Sequence, residues 1–176
     1  MNWFTADWHL SHKNIITYSN RPFSSVGEMN KTIYDNFFSK VKNKDTVYFL
    51  GDLSFYNMDF HDFFFLMKEK NITINFIIGN HDYRNKKIIE SYTKPHDYLN
   101  ININGQNISL CHYAMRTWNK SCHGAWQFYG HSHGTLPPIG KQWDVGIDNN
   151  NFFPVSFNEI KKIMDNIPNN FDMVNK

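Results

Sequence analysis

The sequence predicts an α/β fold, and three observations predict it. In the first half, short apolar runs alternate with stretches whose apolar residues recur about every fourth position, as in a βαβ unit. In the second half, two six-residue runs flank Asn104-Gly105, the strongest two-residue hairpin signal. The length of 176 residues suffices for one real core and is too short for two, so a single domain over 1–176 without a cap domain is expected.

Residues 2–6 are short and bulky, as in a buried strand, and run into Asp7-Trp8-His9. A helix is expected over 26–41, where Ser25 and Glu28 form an S-x-x-E capping box and Met29, Ile33, Phe37 and Val41 share a face. Residues 46–50 form a β-rich run closing in Gly51-Asp52. A second helix covers 60–70, with Phe60, Phe63, Phe64 and Met67 on one side. The next strand, 72–78, ends in Gly79-Asn80-His81-Asp82. The hairpin strands are 98–103 and 106–111, the latter ending at His112. A short strand over 126–129 leads into Gly130-His131-Ser132-His133, and another is expected over 142–147. A closing helix starts near Ser156, again with S-x-x-E, and the Asn-rich tail from Asn166 is expected to fray.

Composition narrows the class. Hydrophobic residues are 41% and charged residues 19% of the chain, as in a globular protein. Aromatics reach 17%, mostly Phe, and take over core packing. The net charge of +2 is too small to argue for nucleic-acid binding through bulk electrostatics. There is no signal-peptide pattern and no apolar run of transmembrane length. With two cysteines, Cys111 and Cys122, and no paired framework, a cytoplasmic setting without membrane contact is the expectation.

Five predicted strands deliver metal-ligand residue types at their carboxyl ends: Asp7 and His9, then Asp52, then Asn80 with His81, then His112, then His131 and His133. Loops at that end of an open sheet converge on one crevice. Carboxylate, imidazole and amide oxygen form a mixed N/O set that suits Mn²⁺ first, with Fe, Zn or Ni as alternatives. One catalytic metal takes about three protein ligands. This larger set fits two divalent ions sharing a bridging carboxylate, an arrangement that clamps in-line displacement at phosphorus.

In order, Asp7-x-His9, Gly51-Asp52, Gly79-Asn80-His81-Asp82, His112 and Gly130-His131-Ser132-His133 resemble the five-motif signature of the calcineurin-like metallophosphoesterases. Each fragment alone is weak; the ordered set, each after a strand, is specific. The opening "DWHLSHKNIITYSNRPF" further resembles a small prokaryotic and phage branch of that family. The resemblance implies a two-sheet β sandwich flanked by helices. It also implies Asp7, His9 and His133 on a first metal, Asn80, His112 and His131 on a second, and Asp52 bridging them. His81 would be the general acid, and Asp82 would orient a histidine or a loop. A metal-bridging hydroxide would attack a phosphate ester in line.

Each residue has a plainer reading beside this one. His12, His61, His96 and His123 lie off the motifs, and a lone histidine is more often structural than a ligand. In the loop between His112 and His131, Arg116 is a candidate phosphate clamp, and Trp118 and His123 are candidate substrate contacts. Trp118 is equally well read as packing, and Trp126 is better read so. Arg21 is either a phosphate contact or half of a structural ion pair. Asp144 and Asp148 would orient a ligand histidine or cap a strand.

With no cap, the site is expected to be open. The neighbouring Arg116 and aromatics favour a phosphodiester of a nucleotide or nucleic acid over a small phosphomonoester. The alternative from another class is a non-catalytic metal-binding scaffold of the same fold.

Overall fold

The computed structural model of the protein describes residues 1–174. In chain order the elements are β1 (Asn2–Thr5), α1 (Lys13–Tyr18), α2 (Val26–Lys40), β2 (Thr46–Phe49), α3 (Asn57–Glu69), β3 (Thr73–Phe76), α4 (Lys86–Tyr92), β4 (Tyr98–Ile103), β5 (Gln106–Cys111), β6 (Trp126–Tyr129), β7 (Gln142–Asp144), β8 (Val155–Ser156) and α5 (Phe157–Asn166). They build two four-stranded sheets, ordered β3-β2-β1-β8 and β4-β5-β6-β7, flanked by helices. In the first sheet β1, β2 and β3 are parallel, as the βαβ reading requires, and β8 closes it antiparallel. In the second, β4 and β5 form the expected hairpin, and β6 and β7 continue it in parallel.

Alternation along the first sheet separates two cores. Trp3, Val47, Phe49 and Phe76 face α2 and α3, where they meet Phe37, Phe60 and Phe63. Phe4, on the opposite face of β1, joins Leu110, Phe128 and Val145 of the second sheet and Ile160 of α5. Successive strand residues point to opposite faces, so one strand feeds both cores. Aromatic rings fill the first: Trp8 meets Phe37, Phe49 and Phe63 at edge-on angles, with centroids 5.1, 5.3 and 5.5 Å away. These are favoured aromatic geometries.

The hairpin and its register match the sequence expectation, with Ile103 paired to Gln106 across Asn104-Gly105. Both turn residues have positive φ, 52° and 86°, as a type I′ turn demands. The Ser156–Glu159 capping box is complete. The one at α2 is half formed: Ser25 accepts from the Glu28 amide, while the Glu28 carboxylate turns to Ser24. Helices α1 and α4 were not expected. They have six and seven residues, too few to show a period, and neither N-cap makes a side-chain hydrogen bond.

The tail departs from expectation. Asn170 is buried, and its amide donates to the carbonyls of Ser121 and Ala125 at 2.8 and 3.0 Å. Ser121 donates to Asp172 at 2.5 Å. Residues 170–174 therefore lie against the loop before β6; residues 175–176 fall outside the described residues. Both cysteines are unpaired and half-buried, so Cys111 is not fully in the core. Among the described residues, no helix is long and apolar enough to cross a membrane.

Candidate metal centre

The loops after β1, β2, β3, β5 and β6 meet at one end of the molecule, and backbone hydrogen bonds knit them together. Asp7 N donates to Gly51 O (2.9 Å), His9 N to Asp52 O (3.1 Å) and Gly130 N to His112 O (2.9 Å). The carboxylates join in: Asp7 accepts from the His131 amide (2.9 Å) and Asp52 from the His81 amide (2.9 Å). Segments up to 124 residues apart thus hold each other.

Two features show how tightly the turns are drawn. A Cβ placed on Gly79 would lie 2.6 Å from the Asp52 amide, and one on Gly130 would lie 2.7 Å from the Asp7 carboxylate. Only glycine permits these approaches. The second feature is backbone strain. Asp7, His9, Asp52, His131 and His133 all have positive φ, between 48° and 67°, a region costly for residues with a side chain and concentrated at functional sites.

Three groups of side chains present ligand atoms within 4.8 Å of one another: Asp7, His9 and His133; Asp52, His112 and His131; and His9, Asp52 and His81. The first two correspond to the two ligand sets expected from sequence. Asn80 belongs with the second, since its Oδ1 lies 3.0 Å from both His112 Nε2 and His131 Nδ1. Asp52 is central, with Oδ2 at 3.4 Å from His112 Nε2 and 3.6 Å from His9 Nε2. The third group places His81 within reach of an ion, a position the sequence reading did not give it.

The residues fit a divalent metal. His9 is buried, yet neither ring nitrogen has a hydrogen-bond partner among the described residues. Unpaired buried nitrogens are costly, and a cation facing Asp52 relieves that cost. Burial holds the His9 pKa well below its ordinary value against the pull of Asp52, which keeps it a neutral imidazole, the ligating form. Burial also raises Asp7, to about 7. For Asp52, burial is outweighed by the hydrogen bond and charge of His112 and by the charge of His9, and its pKa falls to about 2. His112 moves the other way, to about 9, because Asp52 and Asp7 overcome its own burial.

Neighbouring groups aim the imidazoles. His112 Nδ1 donates to Leu50 O at 2.7 Å, leaving Nε2 turned to the site. His133 Nδ1 is 2.7 Å from Asp148 Oδ2, and Asp148 in turn takes two bonds from Arg21, at 2.8 and 2.7 Å. Such outer partners fix the tautomer and orientation of ligating histidines.

The remaining sequence candidates fall into place as follows. Arg21 is buried and also donates to the Trp8 and Asp7 carbonyls at 2.9 and 2.7 Å. Its donors are committed within the protein, so the ion-pair reading holds and the phosphate-contact reading does not. Among the described residues the Asp82 carboxylate makes no hydrogen bond to a histidine, so of the two readings it takes the one that orients a loop. It accepts from the amides of Asp52 (2.7 Å), Leu53 (3.1 Å) and Gly79 (2.8 Å) and so ties two loops together. Asp144 accepts from Ser132 Oγ (2.8 Å) and the Gly134 and Gly146 amides (2.9 and 2.8 Å), shaping the turn that carries His131 and His133. Trp118 is 7% exposed, with its indole donating to Ala125 O at 2.9 Å, so it packs the loop and has no open face for a base. Arg116 is exposed, with its guanidinium 4.6 Å from the Phe171 ring centroid. His123 is exposed on a 3₁₀ turn. The sequence reading passed over Phe55, which packs on His81 with centroids 4.4 Å apart. No motif marks it, and only the fold brings it there.

Comparison with known proteins gives the same direction. The calcineurin-like phosphoesterase family model matches residues 3–119; that span stops short of His131 and His133, which the fold returns to the same cluster. The uncharacterized protein MJ1445 of Methanocaldococcus jannaschii is 35% identical over 167 residues, 91% of this chain and 89% of that one. The crystal structure of the protein of unknown function AQ665 from Aquifex aeolicus shares the fold, with a TM-score of 0.73 and 24% identity over 93% of this chain and 98% of the other. By the family match and the cluster its motifs build, the chain belongs to the calcineurin-like phosphoesterases, metal-dependent hydrolases of phosphate esters.

Proposed function

We propose that the protein is a dinuclear-metal phosphodiesterase whose substrate is a nucleotide or nucleic-acid ester. The observation that carries the metal reading is His9, buried with both ring nitrogens unpartnered between Asp7, His133 and Asp52. In this reading Asp7, His9 and His133 hold one divalent ion, Asn80, His112 and His131 the other, and Asp52 both. Mn²⁺ is the first candidate and Fe, Zn or Ni follow, because the donors are imidazole and carboxylate with one amide and no thiolate. When bound, such a pair supplies Lewis acidity to the phosphoryl oxygens and lowers the pKa of an attacking water.

The chain's own residues do the rest. Asp82 and Asp144 hold the turns; Asp148 holds His133. His81, whose side chain is 35% exposed, stands at the edge of the cluster and delivers a proton to the leaving oxygen. The diester preference is supported by the open rim, where Tyr113, 44% exposed, packs edge-on to His131 at 4.8 Å and offers ring surface to a base. Arg116 and His123, exposed on the same loop, are candidate contacts for a longer substrate.

The test is turnover by purified protein with Mn²⁺ on alkyl and nitrophenyl phosphodiesters and on the corresponding monoesters, nucleotides and oligonucleotides. Chelator should abolish it. His81→Ala should retain both metals and lose about 10²–10⁴-fold on alkyl esters, the range for general acid catalysis, with a much smaller loss on nitrophenyl esters. Equal loss on both, or loss of metal, assigns His81 to the metal instead. Metal binding without turnover on any ester would establish a scaffold, and turnover confined to monoesters would overturn the diester preference.

A further inference from the structure

Among the imidazoles of the cluster, His81 is held differently. His112 leans on Leu50 O and His133 on Asp148, while His9 and His131 turn ring nitrogens to the ion that they would hold. His81 has no such partner: among the described residues neither of its ring nitrogens makes a hydrogen bond, and its nearest carboxylate oxygen, Asp52 Oδ2, is 3.8 Å from Nε2. The adjacent Asp82 is spent on three backbone amides. A half-exposed imidazole without a hydrogen-bonded anchor is free to swing unless something packs it.

Two rings pack it. His9 lies on one side, with centroids 5.2 Å apart. Phe55 lies on another, at 4.4 Å and an interplanar angle of 64°. Phe55 is itself backed by His12, at 4.7 Å and 82°. The stretch that carries Phe55 is anchored on both flanks: Leu10 N donates to Leu53 O (2.8 Å), Ser54 Oγ lies within hydrogen-bond reach of Leu10 O (3.0 Å) and of Asp59, and Tyr56 N donates to Ser54 Oγ (3.0 Å). Phe55 therefore sits on an anchored loop and packs against both His12 and His81.

We infer that Phe55, backed by His12, is the positioning residue of the general acid: it confines the His81 ring by aromatic packing, where His112 and His133 are aimed by hydrogen bonds to Leu50 and Asp148. The inference rests on His81 acting as the general acid. A displacement of about 1 Å in a reacting group can cost on the order of 10²-fold in rate, so a looser ring should show in the protonation step while leaving the metals alone. Phe55 acts through His81 and needs no contact with substrate.

The experiment compares Phe55→Leu, Phe55→Tyr and His81→Ala in the Mn²⁺-loaded enzyme, on an alkyl and a nitrophenyl phosphodiester, with metal content determined for each. Phe55→Leu should lose about tenfold in kcat on the alkyl ester, a tenth of the general-acid range or less, with KM unchanged, little loss on the nitrophenyl ester and full metal content. Phe55→Tyr, which restores a ring, should recover the alkyl-ester rate. Should Phe55→Leu fail to fold, His12→Ala removes the backing and must reproduce the same split between leaving groups. Equal losses on both esters, lost metal, a raised KM alone, or no recovery by Phe55→Tyr would overturn the inference. If His81→Ala shows the split and Phe55→Leu does not, the positioning role fails alone. If His81→Ala shows no split, the general-acid reading falls and this inference with it.

Discussion

Arg21 shows how a residue far from the chemistry reaches it. Its guanidinium binds Asp148 through two bonds and two backbone carbonyls besides, and Asp148 holds His133. A lysine cannot reproduce that planar fork. Arg21→Lys should weaken metal binding by about 10-fold, the lower end for lost outer partners, as read by metal titration, with KM for substrate at saturating metal unchanged. A raised KM with unchanged metal affinity would instead place Arg21 on the phosphate. At this scale the motifs were legible because ligand chemistry restricts residue type: Asp7, His9, Asp52, Asn80, His112, His131 and His133 could be picked out by identity and by following a strand. Phe55 could not, and Arg21 and Asp148 were legible only as one of two readings each. An arginine, an aspartate and a phenylalanine are at home in many settings, and what they do depends on partners up to 127 residues away.

At the scale of elements, the start of β1 is tied to β2 by one carboxylate. Asp45 accepts from the Met1 ammonium (2.5 Å), the Trp3 indole (2.9 Å) and the Lys42 amide (2.9 Å). Burial alone would raise its pKa, but these bonds outweigh burial and hold it below the ordinary 3.8. A carboxyl with a depressed folded-state pKa contributes stability that is present above the unfolded value and lost as pH falls through the folded one. Asp45→Asn should therefore lower Tm at pH 6, with the gap to the parent protein closing as pH falls below the ordinary carboxyl value; a gap constant across pH would refute the linkage. The strands other than the two-residue β8 and the long helices were readable from period and turn chemistry, down to the register of the hairpin. Helices α1 and α4 were not, because six or seven residues make fewer than two turns and neither N-cap side chain makes a hydrogen bond. Those short helices are held by what they pack against, such as Ile15 and Ile89 in the first core.

Across the whole molecule, the candidate ligands come from both sheets: Asp7, Asp52 and Asn80 from the first, His112, His131 and His133 from the second. A cation there joins the two halves. Ligand binding to the native state alone adds about 2.7 kcal/mol when free ligand is 100 times Kd, so Mn²⁺ should raise Tm. Amide exchange should slow in β5 and β6 as much as in β1 and β2. Protection confined to the first sheet would show that the second contributes no ligand. The sandwich itself came from family likeness, because pattern along a chain shows strands and says little about which sheet each joins. The docked tail went unforeseen for the same reason: a run of asparagines looks solvated until Asn170 finds two carbonyls to serve.

That tail clasps the underside of the segment leading from His112 towards His131, through Asn170, Asp172 and the ring of Phe171 beneath Arg116. Trimming the chain after its last helix to obtain a tidier protein would unbuckle the clasp. The loop before β6 would then lose its support from below, and a shortened version should retain every candidate ligand with a looser loop beside them.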